Sequence, residues 1–246
     1  MILQEEKTQL VDVAIPLPID DPYTYRVPME LLDRVHVGCR VLVPFKNRTL
    51  VGFVVATGSE RPVEHPKEIL EILDPEPILT DHLLRLAKWM SEYYFSSWGE
   101  AISTMIPKRI TKRGLQAALP CRELAREKPE PIRLNREQEQ ALAILQQRIA
   151  EPRFSEVFVF GVTGGGKSEL YIQAIREVLK QGKSAICLVP EIALTEQLSY
   201  FFTQHFHEEL ELIHSKLTDQ ERSRAWQRIR TGEKRVILGA RSAVFA

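Results

Sequence analysis

Cysteine is scarce in this chain of 246 residues, long apolar runs are missing, and neither sign of charge is in surplus. The three cysteines, Cys39, Cys121 and Cys187, are odd in number and widely spaced, and no CxxC pair occurs. That pattern excludes a disulfide framework and a cysteine zinc site; the thiols read as reduced, in a cytoplasmic protein. No apolar run approaches the ~20 residues that span a bilayer, so no membrane role is expected. The first residues, Met1 to Lys7, lack the basic-then-apolar order of a secretion signal. What remains is ordinary: 44% hydrophobic and 27% charged residues, a globular composition that excludes disorder and collagen-like repeats. The length suits two domains.

Charge is balanced overall, 33 basic against 33 acidic residues, but not locally. Residues 106–136 hold nine basic side chains, Lys108, Arg109, Lys112, Arg113, Arg122, Arg126, Lys128, Arg133 and Arg136, against Glu123, Glu127 and Glu130. Pro107, Gly114, Pro120, Pro129 and Pro131 interrupt any regular period there. This is a basic connector between domains. Two roles stay open for it: a solvated, self-repelling spacer, or a contact surface for nucleic acid.

Residues 1–107 read as a β-rich domain. Gln9 to Ile15 alternates and stops at Pro16 and Pro18; Tyr23 to Val27 alternates aromatic and β-branched residues before Pro28. Cys39 to Val43 and Leu50 to Val55 flank a plausible hairpin, and Ile69 to Leu73 supplies a fifth strand. Short strands at this spacing predict a small barrel or sandwich. Thr80 then caps a helix whose apolar face holds Leu83, Leu84, Leu86, Ala87, Met90, Tyr93 and Tyr94, with the aromatics expected in the core.

From residue 135 the rhythm changes. Asn135 caps an amphipathic helix, with Gln138 placed to close a capping box. A strand is predicted at Glu156 to Phe160, a helix over 168–181 ending at Gly182, then strands and helices in turn: 184–189, 192–206, 210–213, 218–230 and 235–238. That alternation predicts parallel βαβ units, an α/β sheet covered on both faces.

The chemistry is concentrated in Gly161-Val162-Thr163-Gly164-Gly165-Gly166-Lys167-Ser168. It fits G-x-x-x-x-G-K-[ST] completely, between a predicted strand and a predicted helix. Glycines let backbone N–H groups turn toward phosphate oxygens, Lys167 supplies a cation to the β- and γ-phosphates, and the Ser168 hydroxyl can ligate Mg²⁺. The loop binds a nucleoside triphosphate. Gln138 offers an amide able to read adenine bidentately, although its capping role explains it equally well. His205 and His207, two apart on a helix, point to different sides and read as surface residues rather than metal ligands.

Pro190-Glu191, Ile213-His214-Ser215 and Gly239-Ala240-Arg241-Ser242, taken with the loop, resemble the early motifs of superfamily 2 helicases. More narrowly, the chain resembles the primosomal protein N-prime (PriA-type) replication-restart helicases. The resemblance extends through Val13 to Pro18, Tyr23-Thr24-Tyr25 and Gly38 to Phe45. It implies a RecA-like lobe that uses ATP and Mg²⁺, with Arg241 and Ser242 beside a passing single strand of DNA. It also implies an N-terminal domain that holds the 3′ end of a DNA strand, with Tyr23 at its aromatic position and Lys67 at its basic one. Two positions depart: Thr24 stands where some members carry Asp, and Lys46 where some carry Gly. By the same resemblance the winged-helix domain between the halves is absent. The acidic pair that holds Mg²⁺, the second lobe and the zinc cysteines are expected beyond Ala246. Replication forks, other primosome proteins and single-strand-binding protein are the implied partners, in the bacterial cytoplasm at the nucleoid. Two other readings remain: a non-catalytic DNA-end module with a nucleotide-sensing loop, and an unrelated P-loop NTPase or kinase.

Overall fold

The computed structural model describes residues 9–59, 61–107, 133–162, 164–190 and 196–245. It divides into two compact units, Met1–Arg113 and Gly114–Ala246. Most of the basic connector, residues 108–132, lies outside the described residues, as do Thr163 and residues 191–195 with Glu191.

In the first unit five antiparallel strands follow the proline and glycine punctuation: β1 (Gln9–Ala14), β2 (Tyr23–Val27), β3 (Arg40–Phe45), β4 (Arg48–Thr57) and β5 (Glu71–Ile72). Their order is β2-β1-β4-β3-β5. The chain leading into β5 closes this sheet on itself. Arg26 N–H donates to the Lys67 carbonyl at 2.9 Å, Ile69 N–H to that of Arg26 at 3.0 Å, and Leu70 N–H to that of Leu42 at 2.8 Å. Of the two architectures open from sequence, the molecule adopts the barrel.

Alternation supplies the core: Val11, Val13, Tyr25, Val27, Val41, Val43, Val54, Ile69 and Ile72 all face inward and are buried. Each such side chain contributes roughly 1.5–3 kcal/mol on leaving water. The β3–β4 hairpin turns through Lys46, whose φ of 51° is left-handed. Glycine adopts that conformation without strain, so the turn accounts for glycine as the alternative at this position and not for the lysine. Beneath β3, Arg40 forks onto the Asp74 carboxylate, with Nε at 3.0 and 3.2 Å and the Arg40 N–H at 2.9 Å; both residues are buried.

Two helices complete the unit. The Thr80 hydroxyl accepts from Leu83 N–H and starts α1 (Asp81–Tyr93). Ser97 and Glu100 form a capping box at α2 (Trp98–Met105), and α1 packs on α2. Gly99 of α2 lies so close to β1's exit that a Cβ there would stand 2.0 Å from the Ile15 carbonyl oxygen. Leu84 and Ala87 enter the core as expected, but Tyr93 and Tyr94 do not: both are exposed. α1 ends at Tyr93, so its last aromatics project past the surface that α1 covers.

The second unit holds α3 (Arg136–Ala150), α4 (Lys167–Lys180), β6 (Ala185–Leu188), α5 (Glu196–Phe206), β7 (Leu210–Ile213), α6 (Asp219–Arg230) and β8 (Val236–Gly239). The three strands are parallel in the order β6-β8-β7. Ile172 and Ile175 of α4 and Phe202 and Phe206 of α5 pack with Leu210, Val236 and Leu238. The sheet is therefore parallel and helix-covered, a partial RecA-like lobe.

One expectation fails. Glu156 to Phe160 forms no strand, and Phe158 and Phe160 are 88% and 89% exposed. A parallel strand is held by neighbours on both edges and helices on both faces, and among the described residues nothing pairs with this segment.

Candidate nucleotide and nucleic-acid sites

The glycine loop is built by backbone geometry. Gly164 and Gly166 have φ of 77° and 78°, and Gly166 caps α4, so the loop turns through left-handed residues into the helix N-terminus. Lys167 folds back across the loop and donates through Nζ to the carbonyls of Gly161 and Val162 at 2.8 and 2.7 Å. An ammonium held at the loop mouth, an exposed Ser168 hydroxyl at the next position and a helix dipole behind them make a donor set that suits a triphosphate. Among the described loop residues Ser168 alone carries a hydroxyl, and no cluster of three or more acidic, His or Cys side chains able to hold a metal occurs among the described residues.

Gln138 is brought to this loop. Its Oε1 accepts from Asn135 N–H at 2.8 Å, closing the capping box, and its Nε2 donates to the Gly165 carbonyl at 3.2 Å. A Cβ on Gly166 would stand 2.0 Å from that Nε2. The cap and the loop contact are thus one side chain's work, which leaves one N–H and one lone pair of the amide for a base.

Because β6, β8 and β7 are parallel, the segments that leave them share one edge of the sheet. Val189 N–H donates to the Gly239 carbonyl at 2.9 Å and Ala240 N–H to that of Ile213 at 3.3 Å. These bonds hold Pro190, His214 and the Arg241–Phe245 3-10 helix along that edge. Arg241 and Ser242 are both exposed there.

On the barrel, Tyr23 opens β2 at 40% exposure, its ring edge-on to Phe45 with centroids 5.3 Å apart. Lys46 Nζ stands 5.7 Å above the same Phe45 ring. Phe45 was not singled out in the sequence; its place beside the hairpin turn was the available signal. Lys67 is exposed on the closing segment, beside Arg26 of β2. Thr24 Oγ1 donates to Asp12 Oδ1 at 2.7 Å. Burial, and secondarily Tyr23, pushes the Tyr25 phenol up to about 12, so it serves as a neutral donor to the Pro44 carbonyl.

The aromatics at the end of α1 form a second surface. Trp89 stacks on Tyr93 at 5.1 Å, Tyr94 meets Tyr93 edge-on at 4.9 Å, and Phe95 is 96% exposed with φ 53°. His205, by contrast, is half-buried against Phe201 and faces Arg176 through Nδ1 at 3.1 Å; burial, then Arg176, lowers its pKa. His207 is exposed. Burial also raises the Cys187 thiol to about 11, so it is no nucleophile at neutral pH.

A barrel with a half-exposed aromatic, joined to a partial RecA-like lobe with a phosphate loop, defines a helicase-like nucleotide-binding protein with a DNA-binding module. Comparison with known proteins agrees. Residues 12–107 match the PriA 3'DNA-binding domain (3'BD) family, and residues 131–246 match the family described as type III restriction enzyme, res subunit. The replication restart protein PriA of Treponema pallidum is 34% identical over 242 residues, covering 96% of this chain and 36% of that protein. That of Haemophilus influenzae is 30% identical over 312 residues, covering 96% and 42%. The chain belongs to the PriA family, and it spans about two fifths of the length of these relatives. The second alignment is longer than this chain's 246 residues, so the H. influenzae protein carries residues that have no counterpart here.

Proposed function

We propose that this chain is the DNA-end-recognising and ATP-binding part of a replication-restart helicase. The observation that carries the reading is the Tyr23 site. An aromatic ring half open to solvent, backed by Phe45, sits on a barrel wall that also bears Lys46 and Lys67. An aromatic face receives the terminal base, and the lysines receive its phosphates. In the second unit Lys167, Ser168 and the backbone of Gly161 to Gly166 hold ATP, with Mg²⁺ reached through Ser168, while Gln138 abuts both the loop and the adenine. When bound, the nucleotide supplies the free energy for strand separation. Arg241 and Ser242 lie on the sheet edge where a single strand would pass.

The domains on this reading are 1–107 for the DNA end, 108–134 as a basic linker, and 135–246 as the nucleotide lobe. Stalled forks are the substrate, and primosome proteins and single-strand-binding protein are the partners, in the cytoplasm. The loop residues bind ATP, whereas turnover needs an acidic Mg²⁺ ligand and an arginine finger from further sequence.

The test is a recessed DNA 3′ end. A stacked base is worth ~1–3 kcal/mol, so Tyr23→Ala should weaken binding by about one to two decades. Equal affinity for wild type and variant would overturn the assignment. Replacing Lys108, Arg109, Lys112 and Arg113 with Gln should flatten the dependence of log K on log salt by up to about 3 units if each meets a single-strand phosphate. An unchanged slope would make the linker a spacer.

A further inference from the structure

Two side chains converge over Gly166, and they carry opposite hydrogen-bonding characters. Gln138 comes from α3 and Glu169 from the first turn of α4. The point that a Cβ on Gly166 would take lies 2.0 Å from Gln138 Nε2 and 3.4 Å from Glu169 Oε2. Because residue 166 is glycine, no side chain stands between the two groups. Helical side chains lean toward the N-terminus and cover the turn before their own Cα. That lean carries the Glu169 carboxylate back over the phosphate loop.

The Gln138 amide is oriented by what it already holds. Its Oε1 accepts from Asn135 N–H at 2.8 Å, at the start of α3, and Nε2 donates one proton to the Gly165 carbonyl at 3.2 Å. A primary amide nitrogen has a second proton. Toward the loop Gln138 therefore presents a donor, while its oxygen faces the α3 cap. Glu169 is the complement. An ionised carboxylate only accepts, and among the described residues no hydrogen bond or ion pair takes up this one.

A donor and an acceptor side by side next to a phosphate loop match one edge of a purine. Adenine presents N7, an acceptor, beside the N6 amine, a donor; guanine presents N7 beside O6, two acceptors. Against adenine, Gln138 Nε2 gives a proton to N7 and Glu169 Oε2 takes one from N6. Against guanine, O6 would face the carboxylate, acceptor to acceptor.

We propose that Glu169 is a specificity-determining residue of the nucleotide site, whose carboxylate accepts from the exocyclic amine of adenine and turns guanine away. The inference rests on the ATP-binding reading of the loop and adds to it a second residue for the base. A first-turn carboxylate also complements the helix dipole, and one beside Ser168 can meet Mg²⁺ through water. Neither of those roles distinguishes one base from another.

The experiment titrates the full chain at fixed Mg²⁺ with ATP, GTP and the triphosphate of purine riboside, which lacks the 6-amino group. The proteins are wild type, Lys167→Ala, Glu169→Ala and Glu169→Gln. Wild type should bind ATP about ten- to hundredfold more tightly than the purine riboside nucleotide, the scale of a hydrogen bond to a charged group. Glu169→Ala should bring ATP down to the purine riboside level and leave that level where it was. The same variant should bind GTP more tightly than wild type does, so the ATP-to-GTP ratio collapses. Glu169→Gln should admit GTP while keeping most of the ATP affinity, because an amide turns its oxygen to N6 or its nitrogen to O6. A dipole or Mg²⁺ role would shift all three nucleotides by one factor in Glu169→Ala, and that result would overturn the proposal. Equal wild-type affinity for ATP and the purine riboside nucleotide would overturn it too. Ratios unmoved by Glu169→Ala, with Lys167→Ala weakening every nucleotide, would remove Glu169 from the base site and spare the ATP-binding reading. That reading itself falls if wild type binds none of the three, or if Lys167→Ala binds all of them as wild type does. Should Glu169→Ala fail to fold, Glu169→Gln decides: an ATP-to-GTP ratio equal to that of wild type defeats the assignment.

Discussion

Asp74→Ala asks how much the proposed DNA-end site depends on a buried ion pair in the barrel. Arg40 and Asp74 are both buried, and their fork holds the end of the closing segment against β3. Exposed ion pairs contribute about 0–1 kcal/mol. Removing one partner of a buried pair costs far more, ~3–5 kcal/mol, because the remaining charge is left without compensation. The Arg40 N–H, which also donates to Asp74 at 2.9 Å, would lose its acceptor too. For a unit of this size each kcal/mol lowers Tm by roughly 4–8 °C, so the variant should melt at least about 12 °C below wild type. Calorimetry on the full chain, resolving the transition of the barrel, supplies the number. Replacing both partners, with Arg40→Met and Asp74→Leu together, should restore most of the loss, since an apolar pair needs no compensation. The functional corollary is that Asp74→Ala loosens the seam carrying Lys67 and weakens DNA-end binding below the melting range. A Tm drop under about 3 °C, the scale of a surface pair, would refute the reasoning.

In the phosphate loop, Gly164→Ala adds only left-handed strain, whereas Gly166→Ala also collides with Gln138; the second should cost about 1 kcal/mol more in chemical unfolding and bind nucleotide more weakly, and equal losses would mean that the Gln138 contact is idle. Hydrogen bonds from Arg235 hold the Glu209 carboxyl below the usual glutamate range. Its folded-state value is depressed, so its contribution is present above the ordinary value of about 4.3 and is lost as pH falls through the folded one. Glu209→Gln should therefore lower the urea midpoint at neutral pH and flatten its decline on acidification, and parallel declines for both proteins would count against this. Phe158→Ser with Phe160→Ser removes two rings that bury almost nothing, so stability should move by less than about 0.5 kcal/mol while self-association and apolar-dye binding fall; a large drop in Tm would show that these rings are packed.

Local signals carried most of the architecture. The alternation of Val11, Val13, Val41 and Val43 names a core face directly, and Thr80 and Asn135 cap helices because a hydroxyl or amide fits the orphan N–H groups there. Partnership was harder to see. The run Glu156 to Phe160 records a demand for burial but says nothing about which strands would satisfy it. Tyr93 and Tyr94 fit a helical apolar stripe, yet the stripe cannot reveal where its cover ends. At the sites, the glycine loop was legible because its backbone conformation dictates residue type. The Thr24–Asp12 bond was not, since it joins residues twelve apart through a register that only the folded sheet defines. Lys46 was visible as a departure; its left-handed turn was not.

Gly99 ties the two faces of the first unit mechanically. With no side chain, it lets α2 rest on the backbone at Ile15, the point where β1 gives way to the proline-rich turn that leads to Tyr23. α1, with its row of open aromatics, is carried on α2. The Tyr23 ring and the Trp89–Tyr93 stack therefore ride on a common chassis, with no hinge interposed at that junction. On that chassis, a partner gripping the aromatics would turn the proposed DNA-end site along with them.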